Sequence, residues 1–318
     1  MNDFSKKHLI IIDSNSIIHR AYHALPSLTT KKGELVNAVY GFLLVFFKAI
    51  REFQPDFIAA CFDYPAPTFR HKKFKEYKAK RPPAPEELYQ QIPKVKEVLK
   101  AFNVEIFEKE GFEADDIIGT IAHLAPKKQI FPEIETIILS GDLDILQLVN
   151  QKTKVYSLRK GVKDTVLYNE DLVEEKYHGL KPNQLDDFKA LRGDPSDNIP
   201  GVPGIGEKIA IDLIKKFGSL ENLYEEIQNP KSKIQISEKL KTKLFEYQSQ
   251  AFLSKTLVQI EKKAPIGFDL KKCQWREYDK RKVTQMLEKF EFYSLIKKLP
   301  EMEVSRKIEP VQENKTLL

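Results

Sequence analysis

The sequence predicts an α/β fold, a mainly parallel central sheet with helices on both faces, followed by a helical part. Two observations carry this expectation. Through the first half of the 318 residues short β-type runs alternate with longer segments of helical periodicity, and beyond about residue 180 the β-type runs fade. Such alternation builds a parallel sheet, because each strand needs a crossover before the next can run the same way. Residues 8–12 (HLIII), 57–62 (FIAACF), 104–107 (VEIF) and 136–139 (TIIL) are brief, apolar and mostly β-branched, as strands buried on both faces are. Between them, residues 35–53, 85–102 and 114–124 have the length and period of helices; in the last, Ile117, Ile118, Ile121, Ala122 and Leu124 make the apolar stripe. Farther on, residues 182–192, 207–217, 219–227, 237–248 and 279–290 read as helices. The expected domains are an α/β core over 1–180, a helical part over 181–300 and a loose tail over 301–318, where periodicity is lost.

Composition narrows the class. The chain carries 52 Lys and Arg against 46 Asp and Glu, a formal charge of +6, and is 42% hydrophobic and 31% charged, the balance of an ordinary globular protein. Its longest near-continuous apolar stretch, residues 38–47, falls far short of the roughly 20 residues a membrane span needs, so no membrane contact is expected. The N-terminus reaches Asp13 after four apolar residues, too few for a signal-peptide core, and a cytoplasmic protein is expected. Cys61 and Cys273 are the only cysteines and lie far apart in sequence, which excludes a thiolate zinc cluster and argues against a disulfide framework. The charge excess has a location: residues 70–81 (RHKKFKEYKAKR) hold seven Lys or Arg and one Glu, a local +6, interleaved with Phe74 and Tyr77. Such a segment can grip phosphates and stack on bases, although a Lys-rich run is more often a solvated helix face.

The acids are more informative. Asp13 follows the first expected strand, Asp63 the second, and Asp142 with Asp144 the fourth. In an open parallel sheet the functional crevice lies at the carboxyl ends of the strands, so these acids should converge. Glu113, Asp115 and Asp116 open the helix at 114–124, and three acids exceed what capping a first turn requires. Asp194 and Asp197 (RGDPSDNIPG) sit in a loop where turn chemistry alone would account for either one. Nine carboxylates on one edge, with no matching cation inside their motifs, would have to take up protons or cations. Oxygen ligands suit hard divalent ions, Mg²⁺ or Mn²⁺, and two ions roughly 4 Å apart can activate a water and stabilise a leaving oxygen in phosphoryl transfer. Directly after Asp197 comes IPGVPGIG, residues 199–206, ahead of the helix at 207–217. Glycines there let backbone amides approach a phosphate, and the helix N-terminus adds partial positive charge.

The motifs IIDSNSIIHRAYHAL, LVNAVYGF, CFDYPAPTFRHKKFKEYKAKR, EGFEADDIIGTIA, SGDLDILQL and RGDPSDNIPGVPGIGEKIA follow the order and spacing of the 5′-nucleases. From His8 to Leu299 the chain most closely resembles the 5′ to 3′ exonuclease domain of bacterial DNA polymerase I. The resemblance implies a PIN/resolvase-like core, a helical arch over about 68–102 and a helix-three-turn-helix DNA-binding element over about 185–220. It implies that Asp13, Asp63, Glu113, Asp115, Asp116, Asp142, Asp144, Asp194 and Asp197 hold two or more Mg²⁺ or Mn²⁺ ions. Asp13 and Asp115 then count as catalytic, together with Lys78 and Arg81 near the scissile phosphate. DNA contacts are implied for Arg20, Arg70, Lys72, Lys73, Tyr77, Lys78, Arg81, Gly201, Gly204, Gly206 and Lys208, with Tyr77 stacking on a terminal base and K⁺ bound by loop carbonyls of the helix-three-turn-helix. Leu143 departs from the family, which usually has Lys between the two aspartates, and so offers a phosphate no donor at that position. Because little follows FEFYSLIKKL, the chain is expected to be either a stand-alone nuclease or a piece of a longer polymerase.

The expected function is hydrolysis of phosphodiesters in DNA with a 5′ flap, nick or gap, and of RNA in RNA:DNA hybrids, by a monomer acting in replication and repair, with a DNA polymerase beside it. Two rivals stand against it. A catalytically silent DNA-structure binding protein would keep the basic segment and the glycine-rich loop without the chemistry. A haloacid-dehalogenase-like phosphatase is suggested by Asp142 and Asp144 after a strand, but that chemistry needs neither five acidic clusters nor a DNA grip.

Overall fold

The protein is described here by a computed structural model covering residues 6–127, 133–229 and 236–301; the expected tail at 301–318 lies outside these apart from its first residue. Six strands, β1 (Lys7–Asp13), β2 (Phe57–Cys61), β3 (Glu105–Phe107), β4 (Ile134–Ser140), β5 (Thr153–Leu158) and β6 (Thr165–Tyr168), form one sheet in the order β3-β2-β1-β4-β5-β6. Every neighbouring pair is parallel except β5 and β6, which run antiparallel at one edge. Leu9 and Ile11 of β1 enter one apolar layer and Ile10 and Ile12 the other, as the two-residue strand period requires. The strand order reverses between β1 and β4, where Ile11 pairs with Ile138. A crevice opens outside the carboxyl ends of the strands at such a reversal. Strands β5 and β6 are not anticipated from the sequence, because TKVYSL and TVLY are short and mix polar with apolar residues at the sheet edge.

The helices are α1 (Ser14–Ala24), α2 (Asn37–Phe53), α3 (Phe69–Lys73), α4 (Glu86–Tyr89), α5 (Ile92–Ala101), α6 (Ala114–Leu124), α7 (Glu170–Lys176), α8 (Leu185–Arg192), α9 (Glu207–Phe217), α10 (Leu220–Gln228), α11 (Glu238–Glu246), α12 (Gln248–Val258), α13 (Lys280–Lys289) and α14 (Tyr293–Ile296). Helices α1, α2, α5, α13 and α14 bury their apolar stripes on one face of the sheet. Helices α6 and α8 to α12 pack on the other, in a layer that continues into the helical part. Helix α12 was hidden in the sequence because small residues, Ala251 and Ser254, carry part of its buried face. No helix among the described residues is long and apolar enough to cross a membrane.

The expected arch over 68–102 has a different second half. Val95, Val98 and Leu99 of α5 are buried in the layer with α2, so this helix belongs to the core. What crosses the crevice is α3 and the turns after it. There Tyr77 packs with Ile199, Leu257 and Val258, and the Asn198 side chain donates to the Glu76 carbonyl at 2.8 Å.

The loop from α8 to α9 turns on Gly193 and Gly201, whose φ angles are +79° and +61°. A Cβ on Gly201 would collide with the Gly193 amide nitrogen. Gly201→Ala is therefore expected to lower stability by more than about 2 kcal/mol, since the left-handed backbone alone costs roughly 1–2 kcal/mol and the clash is with backbone. Urea unfolding of the two proteins checks this.

Candidate active site

Local structure places each acid. Asp13 ends β1 and is also the N-cap of α1, accepting the Ser16 amide at 3.2 Å. Across the reversal β4 ends at Ser140, and the turn after it carries Asp142 and Asp144, with the Asp144 amide donating to Asp142 Oδ1 at 2.9 Å. Asp63, just beyond β2, accepts the Ala114 amide at 2.8 Å and so pins the start of α6 beside the end of β1. That brings in Glu113, the α6 N-cap, and Asp115 in its first turn. Asp197 arrives from the α8–α9 loop. Asp13, Asp63, Glu113, Asp115, Asp142, Asp144 and Asp197 line one cleft of about 630 Å³, together with Asn15, His19, His23, Arg20, Tyr77, Lys78 and Arg81.

Two of the nine expected acids do not face this cleft. Asp116 is fully buried, and both of its oxygens receive the Arg70 guanidinium, at 2.7 and 2.8 Å, while the Glu113 and Glu261 amides donate to it at 3.1 and 2.9 Å. Asp194 is held by Lys189 Nζ at 2.7 Å and by the Ser196 hydroxyl and amide at 2.5 and 3.0 Å. Against the upward push of burial, Lys189 holds the Asp194 carboxyl down at about 2.

The surroundings of the remaining acids differ. Burial first, then the charges of Asp142 and Asp63, push Asp13 up to about 7 despite its Ser140 hydrogen bond. Burial and the charges of Asp13 and Asp142 lift Asp115 well above the usual carboxylate range. Asp144 is also raised by burial and by Asp142, although it is paired with Lys189. Glu113 and Asp197, by contrast, are covered by cations of the crossing segment. Glu113 accepts from Lys78 Nζ at 2.7 Å and from the Tyr77 hydroxyl at 3.0 Å, and Lys78 and Arg70 hold it below its ordinary value against burial. Asp197 takes Arg81, and its carbonyl takes the Lys78 amide at 2.9 Å, with Lys78 itself at a left-handed φ of 55°. The expectation of acids without counter-charge therefore holds for only part of the cluster. Lys189, which ties Asp144 to Asp194, had no signature: a cation in the last turn of α8 is what the helix dipole alone favours.

The implied DNA contacts also divide. Lys72, Lys73, Gly204, Gly206 and Lys208 are exposed, and α9, with Gly206 as its N-cap, has no side-chain cap on its first amides. Arg20 lines the cleft but spends its guanidinium on the Gly141 and Arg159 carbonyls, at 3.1 and 3.4 Å. Three differ from expectation. Arg70 is 2% exposed with its guanidinium taken up by buried partners, Tyr77 is 3% exposed with Lys78 Nζ over its ring, and Gly201 is buried with its carbonyl accepting from Gln250 at 2.6 Å.

The donor set of the cleft, carboxylate oxygens lifted above their usual range by burial and one another, fits a hard divalent cation. Among the described residues no three His, Cys, Asp or Glu side chains form a ready cage.

Residues 8–178 match the family model of the 5′-3′ exonuclease N-terminal resolvase-like domain, and residues 180–281 that of the 5′-3′ exonuclease C-terminal SAM fold. The chain is 42% identical over 296 residues to DNA polymerase I of Bacillus subtilis, covering 93% of this chain and 32% of that protein. It is 41% identical over 294 residues to DNA polymerase I of Bacillus caldotenax, at 92% and 32% coverage. The chain thus spans about a third of the length of the curated relatives it matches. Among solved structures, the bacteriophage T5 flap endonuclease in complex with DNA and metal ions superposes with a TM-score of 0.66 at 20% identity, over 90% of this chain and 100% of that one. The catalytic core of Rad2 in complex with DNA substrate gives 0.58 at 18% identity, over 91% and 89%. Both share the expected fold, a resolvase-like α/β core with a helical SAM-like part.

Proposed function

The chain belongs to the 5′-3′ exonuclease family, and from that premise we propose that it hydrolyses phosphodiesters near the 5′ end of flapped, nicked or gapped DNA and of RNA paired with DNA. The observation that carries this reading is the convergence of seven acids at the sheet reversal, with Lys78 and Arg81 laid over them. Asp13, Asp63, Asp115, Asp142 and Asp144 would hold divalent ions, and when bound these supply an activated water and neutralise charge on the leaving oxygen. The exposed residues Gly204 and Gly206 and the start of α9 would hold a duplex backbone without reading its sequence.

Lys78 and Arg81 now rest on Glu113 and Asp197. A phosphate entering the cleft offers them a second anion, and there they would stabilise charge as it develops. Replacing both with Ala is expected to slow cleavage and to reduce the slope of log affinity against log salt by about 1 to 2, one for each cation that no longer meets a phosphate. Binding of a flap duplex measured from 50 to 200 mM KCl checks the slope.

A 5′-labelled flap duplex with Mg²⁺ or EDTA tests the whole proposal. Products that form only with Mg²⁺ support it; mononucleotides would mark exonuclease action and an intact flap oligonucleotide endonuclease action. Binding without any Mg²⁺-dependent cut would turn the reading to a silent DNA-structure binder. In its biological setting the activity would remove 5′ ends in replication and repair, next to a DNA polymerase in the cytoplasm.

A further inference from the structure

Ser140, the last residue of β4, is fully buried, and its hydroxyl sits between the Asp13 carboxylate at the end of β1 and the Asp142 amide in the turn after β4. It donates to Asp13 Oδ2 at 2.5 Å and accepts the Asp142 amide at 2.9 Å. A hydroxyl has one proton and two lone pairs. One oxygen therefore ties the acid of β1 to the backbone that carries the acid after β4. From α1, Ser16 makes a second tie of the same kind. Its amide donates to Asp13 Oδ1 at 3.2 Å, and its Oγ accepts the Gly141 amide at 2.9 Å. Arg20 closes the arrangement on the Gly141 carbonyl at 3.1 Å. A Cβ on Gly141 would lie 3.0 Å from Ser16 Oγ and 3.4 Å from Arg20 Nε, so close approach to α1 is what glycine supplies there.

We propose that Ser140 and Ser16 are positioning residues that fix Asp13 relative to Asp142 and thereby set the affinity of the cleft for a divalent cation, an inference that rests on the nuclease reading above. Carboxylates drawn together without a cation repel one another, and left free their side chains would turn apart. Each Asp13 oxygen instead carries one hydrogen bond, which holds the plane of the carboxylate while leaving lone pairs free for a cation. Asp142 is oriented in the same way, by the Ser140 hydroxyl on its amide and by the Asp144 amide on its Oδ1. Hydrogen-bond partners that orient metal ligands are typically worth about 10–100-fold in metal affinity. Ser140 does not line the cleft, and Ser16, at its wall, engages its amide and hydroxyl with Asp13 and Gly141, so both act through the acids.

The test uses the full chain and Mn²⁺ alone. Calorimetric titration without DNA is expected to show Mn²⁺ binding weakened by about 10-fold or more in Ser140→Ala and in Ser16→Ala, and restored in Ser16→Thr, which keeps the hydroxyl. In flap cleavage the half-saturating Mg²⁺ concentration should rise by a similar factor, with the maximal rate largely recovered at high Mg²⁺. Flap binding in EDTA should not change. Unaltered Mn²⁺ affinity in both variants, whether or not the thermal midpoint falls, would show that the serines only close the strand end and would overturn the proposal. If Ser140→Ala does not fold, the half-exposed Ser16 carries the same test. A wild-type protein that neither binds Mn²⁺ nor cuts a flap removes the nuclease reading and this inference with it. A wild type that does both, with variants that match it, removes this inference alone.

Discussion

Asp13→Asn is expected to reduce Mg²⁺-dependent cleavage of a 5′ flap by at least roughly 10²-fold, the scale of losing one preorganised electrostatic element. The substitution is nearly isosteric and retains an oxygen that can accept the Ser16 amide. What it removes is a negative charge in a place where burial already opposes charge. For that reason the fold should not suffer, and the thermal midpoint measured without metal should stay level or rise. Asp142→Asn, on the other strand of the reversal, should behave alike in cleavage. Single-turnover rates at saturating Mg²⁺, beside circular-dichroism melts, separate lost chemistry from lost structure. Near-normal rates in both variants would mean that the strand-end acids are not the working site.

Arg70→Met is expected to lower stability by about 3–5 kcal/mol, the usual consequence of leaving one partner of a buried ion pair alone. The Arg70 guanidinium meets both Asp116 oxygens and also the Leu257 and Gln259 carbonyls, each at 2.8 Å. Without it, Asp116 keeps only amide donors and the two carbonyls lose their partner. Arg70→Lys should recover little, because one ammonium cannot reach four acceptors spread around a planar fork. Urea unfolding gives the number. A variant as stable as the wild type but weaker on DNA would return Arg70 to the DNA-contacting role that its place in a basic segment suggests.

Arg70 shows why that segment was hard to read. Within RHKKFKEYKAKR its cations look alike, yet Lys72 and Lys73 are exposed, Lys78 and Arg81 cover acids, and Arg70 joins α3 to α6 inside the protein. The acids show the same limit from the other side. GFEADD presents three carboxylates within four residues, and only helical phase together with the burial of one face of α6 separates Asp115 in the cleft from Asp116 in the core. By contrast, β1, β2, β4 and α6 were legible, since each is a local apolar pattern of the right period and length. β5, β6 and α12 were not, because their burial depends on neighbours rather than on an apolar run of their own.

By itself, then, the sequence determined the parallel α/β core, the helical continuation and the set of acids at strand ends, all of which follow from periodicity and from where a strand stops. Only the tertiary structure decided which of those acids line the cleft and which are taken up by buried partners. Their partners come from far along the chain, Arg70 to Asp116 across 46 residues and Ser140 to Asp13 across 127. A carboxylate becomes a cation ligand, a helix cap or half of a buried salt bridge according to the donors that packing brings to it.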